Sequence, residues 1–77
     1  TEYAIINLET LQRIAEQNNI SSFDIEAFKK RGLISKNEKV KILGAGELTT
    51  KIDVKAHAYS KSAKESIESL GGKAEKI

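Results

Sequence analysis

Two glycines, Gly44 and Gly46, lie two residues apart between two short segments whose pattern is typical of β-strands. Glycines at this spacing occur in loops that hold a nucleotide phosphate, but the dinucleotide fingerprint also needs a third glycine and a helix directly after the loop. Here residues 48–50 lead into another strand, and no Gly-Lys-Ser/Thr sequence follows. Two interpretations stay open: a hairpin loop that uses the backbone freedom of glycine, and a loop with bare amides that approaches a phosphate backbone.

A hydrolytic triad can be assembled on paper from Ser60, His57 and Asp53. Asp53 and His57 share one face of a predicted strand, along which four residues span about 13 Å. That separation is too long for the hydrogen bond that orients a catalytic imidazole. The chain has no cysteine and a single histidine, which excludes thiol catalysis and a metal site with several histidine ligands. The sequence therefore predicts a protein that is not an enzyme and that holds no metal and no cofactor.

His57 has two interpretations that its position leaves open. It lies beside Lys55 and Tyr59 on the polar face of the predicted strand, so a core role is not expected. It can stack on a base or bind a phosphate, as histidines do on RNA, or it can be an ordinary surface histidine.

Positive charge is concentrated in the middle third of the chain. The 77 residues carry a formal net charge of +2 at pH 7. Residues 36–64 hold seven lysines against three acidic residues, which gives +4, whereas residues 1–35 and 65–77 each contain one more acidic than basic residue. Lysine-rich strands can be simple solvated edges. The flanking of the glycine pair by Lys39, Lys41, Lys51 and Lys55 also suits a surface that approaches a phosphate backbone.

The length of the chain limits its architecture. Seventy-seven residues permit one domain, and a domain of this size buries only about 60% of its unfolded surface, which leaves no depth for an enzyme pocket. No apolar run approaches the roughly 20 residues that a membrane-spanning helix needs. Residues 3–6 are the one early apolar run and are too short for a signal peptide.

Hydrophobic periodicity predicts the order strand, helix, helix, strand, strand, helix, strand, which is a small mixed α/β domain. In chain order the predicted elements are a buried strand over residues 3–6, a helix capped by Asn7 that ends near Asn18 and Asn19, a helix from Ser21 or Ser22 to Gly32, a strand around Val40 and Ile42, a strand over residues 52–59, a helix over about 60–70 that is capped by Ser60 or by Ser62 in a capping box with Glu65, and a last strand over residues 73–77.

The second predicted helix offers a test for a different class of function, that of a protein-interaction module. Phe23 and Phe28 fall in its apolar pairs, and we expect both rings in the core. If both were exposed, they would form a patch for a protein partner. The basic residues 29–31 can contact RNA, but their position also suits cations that are favoured at a helix C-terminus.

The order of residues over most of the chain follows a longer pattern. It is carried by Lys41–Leu48, Ile52–His57, Tyr59–Glu65, Ile67, Gly71 and Gly72, and earlier by Asn7–Leu11 and Gly32–Ile34. These stretches closely resemble the signature of the bacterial-type family of large-subunit ribosomal protein fifteen. The resemblance covers essentially the whole chain.

This resemblance implies a structural constituent of the large (50S) ribosomal subunit that binds 23S rRNA, supports subunit assembly and has no catalytic activity. It implies neighbouring large-subunit proteins as partners, and a ribosomal location in a bacterial cytoplasm or an organelle. The expected fold is an irregular superhelical stack of short β-β-α turns. By position in the pattern, the expected rRNA-binding residues are Lys41, Gly44, Gly46, Lys51, Lys55, His57, Ser60, Lys61 and Lys64.

Members of this family carry a long basic N-terminal extension that this sequence does not contain. Residues 1–77 are therefore expected to form one globular domain that corresponds to the C-terminal part of the full-length protein. Two alternatives remain beside the ribosomal interpretation. One is a protein-interaction module that uses the second helix, and the other is a free-standing RNA-binding domain outside the ribosome.

Overall fold

Parallel strand pairing organises this chain, whose computed structural model describes residues 3–35 and 38–77. Within those residues six strands form two three-stranded parallel sheets, which we call sheet A (order β1-β3-β5) and sheet B (order β2-β4-β6). The elements are β1 Tyr3–Asn7, α1 Leu8–Asn18, β2 Ser22–Phe23, α2 Ile25–Lys30, β3 Lys39–Leu43, β4 Asp53–Ala56, β5 Ala58–Tyr59, α3 Lys61–Ser69 and β6 Lys73–Lys76.

Successive strands alternate between the two sheets, so the chain winds through three turns that each add one strand to each sheet. The first turn is β1-α1-β2, the second is β3, a loop and β4, and the third is β5-α3-β6. Parallel neighbours cannot be joined by a tight hairpin, and here each return connection passes through the other sheet. The predicted mixed α/β class is confirmed, with the winding order strand, helix or loop, strand.

One hydrophobic cluster joins the inner faces of both sheets to all three helices. Because each element carries only a few apolar residues, no single turn of the winding could form this core alone. The buried members include Ile6, Leu8, Leu11, Phe23, Phe28, Val40, Ile42, Ile52, Val54, Ala56, Ala63 and Ile67.

The first strand is only half buried, and the prediction of a buried strand was therefore wrong for one face. Ile6 points into the core, whereas Tyr3 and Ile5 are 42% and 51% exposed. The strand lies at an edge of sheet A, where Tyr3 pairs with Lys39 and Ile5 pairs with Lys41. Side chains that are paired across a sheet share a face, so the outer face of sheet A combines apolar and cationic side chains.

The second helix starts later than predicted. Its N-cap is Asp24, whose Oδ1 accepts a hydrogen bond of 2.8 Å from the Ala27 amide, and neither Ser21 nor Ser22 caps it. Ser22 and Phe23 instead form β2, which pairs with β4. Phe23 precedes the cap and stacks on Phe28 with ring centroids 6.1 Å apart, which is the geometry of a hydrophobic staple. Both rings are buried, as expected.

The predicted single strand over residues 52–59 is two strands in different sheets. The chain leaves sheet B after Ala56 and enters sheet A at Ala58. At the corner, the His57 amide donates to the Val40 carbonyl at 3.0 Å, and His57 Nδ1 accepts from the Val40 amide at 3.0 Å. The alternation of apolar and polar residues continues across the corner, because the chain changes sheet here without a turn residue. The sequence pattern therefore predicted one strand.

Ser60, and not Ser62, caps the third helix. Its hydroxyl oxygen accepts a hydrogen bond of 3.2 Å from the Ala63 amide. The Ser60 amide donates to the Ile42 carbonyl at 2.9 Å, which joins the start of α3 to β3. The capping box of Ser62 with Glu65 therefore does not form, because the helix has already begun at Lys61.

Tyr59, in β5 of sheet A, forms hydrogen bonds to the strands of sheet B. Its hydroxyl donates to the Val54 carbonyl at 2.8 Å and also contacts the Glu75 carbonyl. Burial raises the pKa of Tyr59 from 10.0 to about 12, and the negative charge of Glu75 adds to the increase. The neutral phenol is thus the form that the fold holds, and its contribution to stability is complete below pH 10 and is lost as the pH rises towards 12.

The titration of Tyr59 can be measured alone in the Tyr3→Phe variant, because the chain has only these two tyrosines. We expect the tyrosinate absorbance at 295 nm to rise with a midpoint near pH 12, together with loss of the folded far-UV circular dichroism spectrum. Ionisation near pH 10 in a chain that stays folded would contradict the inter-sheet role of the hydroxyl.

Candidate nucleic-acid interface

The glycine-containing segment crosses from one sheet to the other and is not a hairpin. It follows β3 in sheet A and leads to β4 in sheet B, so it takes the place that α1 and α3 hold in the other turns. Leu48 and Ile52 anchor it in the core. The hairpin interpretation was wrong because the strands on either side of the loop belong to different sheets.

Gln12 of α1 holds the far end of this loop. Its Oε1 accepts hydrogen bonds from the amides of Thr49 and Thr50 at 2.9 and 3.1 Å, and its Nε2 donates to the Thr50 hydroxyl at 3.0 Å. Three hydrogen bonds to a single side chain fix a loop that has no helix of its own. Sequence reasoning missed Gln12 because its partners are 37 and 38 residues away.

The two glycines pack the loop against the N-termini of α1 and α3. A Cβ atom on Gly44 would lie 2.2 Å from the Ser62 hydroxyl oxygen and 3.1 Å from the Ala63 amide nitrogen. Gly46 has a φ of 86°, and a Cβ there would lie 2.4 Å from the Cβ of Glu9. Both positions exclude a larger residue for intramolecular reasons. The Glu9 carboxylate beside Gly46 also disfavours an anion at that position.

The outer face of sheet A is positively charged. Lys39 and Lys41 point outward from its central strand, because Val40 and Ile42, which alternate with them, are buried. The strands of sheet A contain no acidic residue. Neither lysine has an ion-pair partner within the described ranges 3–35 and 38–77. This face therefore presents uncompensated positive charge.

Sheet B carries both signs of charge on its outer face. Lys55 is exposed there and pairs in register with Glu75, while Asp53 pairs with Lys73 and accepts a hydrogen bond from its amide at 3.2 Å. Lys41 and Lys55 therefore belong to the outer faces of different sheets, and the structure does not bring these two predicted residues together. Lys51 is exposed in the loop before β4.

The start of α3 adds two exposed lysines, Lys61 and Lys64. The first turns of α1 and α2 each contain an acidic residue, whereas the first turn of α3 contains none. Because a helix N-terminus carries partial positive charge, lysines here add to the field and do not neutralise it. The end of β3 meets this helix start through Gly44 and Ser60, so Lys41 and Lys61 lie on neighbouring segments.

His57 is half-buried and is neither a core residue nor a simple surface histidine. Nδ1 accepts from the Val40 amide, so the ring is the tautomer that carries its proton on Nε2. Within residues 3–35 and 38–77, Nε2 has no hydrogen-bond partner. One ring nitrogen thus holds the sheet corner, and the other is a donor available to a ligand.

The triad candidates are likewise engaged separately. The Ser60 hydroxyl accepts from the Ala63 amide, His57 Nδ1 accepts from the Val40 amide, and Asp53 Oδ1 accepts from the Lys73 amide. One polar atom of each of the three residues is therefore bound to a different backbone amide, and none of these bonds joins one candidate to another.

Gly44→Ala tests the packing role of this glycine against a phosphate-binding role. We expect a loss of about 1–3 kcal/mol in the free energy of unfolding, from overpacking against Ser62, measured by urea denaturation. Ser62→Gly should lower the cost of Gly44→Ala, although the Ala63 amide nitrogen keeps part of it. RNA affinity should be the same for Ser62→Gly and for the folded double variant. A cost that Ser62→Gly leaves unchanged would contradict the packing explanation.

Comparison with known proteins identifies the family. Residues 5–75 match the family described as ribosomal proteins 50S-L15, 50S-L18e and 60S-L27A. The chain is similar to the large ribosomal subunit protein uL15 of Phocaeicola vulgatus, with 51% identity over 76 residues, which cover 99% of the chain and 51% of that protein. It is also 55% identical over 78 residues to uL15 of Kosmotoga olearia and 50% identical over 72 residues to uL15 of Amoebophilus asiaticus, covering 51% and 47% of those proteins. The chain spans about half the length of these relatives. It belongs to the family of ribosomal proteins that contains 50S-L15, 50S-L18e and 60S-L27A.

Proposed function

We propose that the chain is the part of a large-subunit ribosomal protein that binds 23S rRNA and supports assembly of the 50S subunit, without catalytic activity. The observation that carries this proposal is the match of residues 5–75 to the ribosomal family, together with relatives at 50–55% identity that are named large ribosomal subunit protein uL15. A ribosomal location, with neighbouring large-subunit proteins as further partners, forms part of the same proposal.

The charge distribution supports an electrostatic mode of docking. The outer face of sheet A and the start of α3 present lysines without acidic partners, whereas the outer face of sheet B mixes both signs of charge. Lysines that neutralise phosphates release counterions and so make affinity depend on salt. For about four phosphate contacts, affinity should fall about a hundredfold between 50 and 200 mM salt.

The predicted rRNA-binding residues do not all have the same structural support. Lys41 lies on β3, which carries only positive charge, and Lys61 and Lys64 lie at the start of α3, before its two glutamates. These three lysines are the principal contacts in this proposal. The remaining predicted contacts are Lys51, Lys55, His57, Ser60, Gly44 and Gly46. Of these, Lys55 has Glu75 beside it, and the two glycines have packing roles that need no phosphate.

The two alternatives are weaker. A protein-interaction module built on the second helix would need exposed Phe23 and Phe28, and both are buried. A free-standing RNA-binding domain outside the ribosome would show the same dependence of affinity on salt. Co-sedimentation with ribosomal subunits distinguishes that alternative from the ribosomal proposal. We expect the labelled chain to sediment with isolated large subunits that lack their own copy of the protein and not with small subunits. Binding to both subunits alike would favour the free-standing domain.

Charge reversal on the proposed surface should weaken RNA binding without unfolding the chain. Lys41→Glu with Lys61→Glu removes two proposed phosphate contacts, so the slope of log affinity against log salt should fall by about two, and the affinity should fall at every salt concentration. Filter binding to a 23S rRNA transcript between 50 and 200 mM KCl measures both quantities, and circular dichroism checks the fold.

Lys30→Glu with Lys73→Glu is the matched control for this variant. It changes the net charge equally at two exposed lysines on α2 and sheet B, and its salt slope should stay close to that of the unmodified chain. Equal effects of the two double variants would mean that net charge, and not the proposed surface, governs binding.

A further inference from the structure

A depression of about 330 Å³ brings together residues from the first and third turns of the winding. Tyr3 of β1, His57 at the sheet corner, Lys64 of α3 and Lys76 of β6 line it. None of the residues in 3–35 and 38–77 that line it is acidic. The depression is separate from the glycine loop, and sequence reasoning assigned no role to two of its members, Tyr3 and Lys76.

Its polar groups are donors that the fold leaves unused. Lys64 and Lys76 are exposed, and neither has an ion-pair partner among residues 3–35 and 38–77. His57 Nδ1 accepts a hydrogen bond from the Val40 amide, which leaves Nε2–H as a donor. Two lysines and one histidine with an unused N–H therefore line the same depression. This set of donors suits a ligand that carries both an anionic group and hydrogen-bond acceptors.

The apolar part of the lining suits a planar ring. The Tyr3 side chain is 42% exposed, although its neighbours Ala4 and Ile6 are covered to a greater extent. The Tyr59 ring also lines the depression, but its hydroxyl is held by backbone carbonyls, so that ring is fixed in place. Exposed aromatic rings beside lysines stack single-stranded bases, and stacking is worth about fivefold or more in affinity per base.

We propose that this depression receives one unpaired nucleotide of the RNA, with its base against Tyr3 and its phosphate between Lys64 and Lys76. In a continuous A-form duplex the bases are stacked inside the helix and cannot enter a concave site, whereas bulged and looped bases can. His57 Nε2–H then donates to an acceptor on the nucleotide. This inference rests on the proposed function and adds to it the kind of RNA element that is bound.

The test compares two RNA hairpins of equal stem length, one with a single bulged nucleotide and one fully paired. Fluorescence anisotropy with the 77-residue chain at 100 mM KCl should give about fivefold or greater preference for the bulged hairpin. Tyr3→Leu should abolish the preference, while Tyr3→Phe, which keeps the ring, should retain it. Lys64→Gln with Lys76→Gln should weaken binding of the bulged hairpin more than binding of the paired hairpin.

A second readout follows the base directly. A 2-aminopurine at the bulge should lose fluorescence on binding if its ring stacks on Tyr3, and should keep it in the complex with Tyr3→Leu. Equal affinity for both hairpins, with the sensitivity to Lys41→Glu and Lys61→Glu retained, would overturn the nucleotide site and leave the proposed function intact. Failure to bind either hairpin or the 23S rRNA transcript would overturn both.

Discussion

The fold depends on one double contact, in which His57 binds the amide and the carbonyl of Val40 at the same time. The main chain of His57 donates to the Val40 carbonyl, and its side chain accepts from the Val40 amide. This contact lets the chain leave sheet B and enter sheet A within one residue. The register of β5 on β3 follows from it, and so do the position of Tyr59 and the start of α3.

Alternation between two parallel sheets also determines which charges can act together. In each sheet, residues in register share a face, so Lys39 and Lys41 share a surface with Tyr3 and Ile5, whereas Lys55 shares one with Asp53 and Glu75. The lysines of the positively charged middle third of the sequence are thereby divided between two surfaces. The outer face of sheet A is positive, and the outer face of sheet B carries both signs of charge. The surface of sheet A can approach a polyanion closely, because no carboxylate of its own strands opposes the approach.

The parts of the fold that were predictable from the sequence are those that local chemistry decides. The extent of α1 followed from its apolar spacing and from Asn19, which ends the helix in the left-handed conformation. The two-residue strand β2 is too short to show a period, so the Phe23 pattern was assigned to the helix that it precedes. The break at His57 left no local signal, because its partner, Val40, is 17 residues away. Long-range parallel pairing is decided by such contacts and by the shared core, and neither can be read from a window of sequence.

In the candidate interface, some of the predicted residues are needed for the fold, whereas others lower its stability. Gly44 and Gly46, the first residues to suggest a phosphate, are explained by close contacts with Ser62 and Glu9. Lys61 and Lys64 have no such explanation, since a cation at a helix N-terminus destabilises the helix by about 0.3–1 kcal/mol. The other two helices place a carboxylate in their first turn, as helix stability favours. The first turn of α3 has lysines and no carboxylate, which lowers the stability of this small domain. A phosphate bound at this end of α3 would turn the same lysines into a stabilising feature. The lysines of α3 are therefore better support for a polyanion partner than the glycines, because the helix dipole disfavours cations at this end.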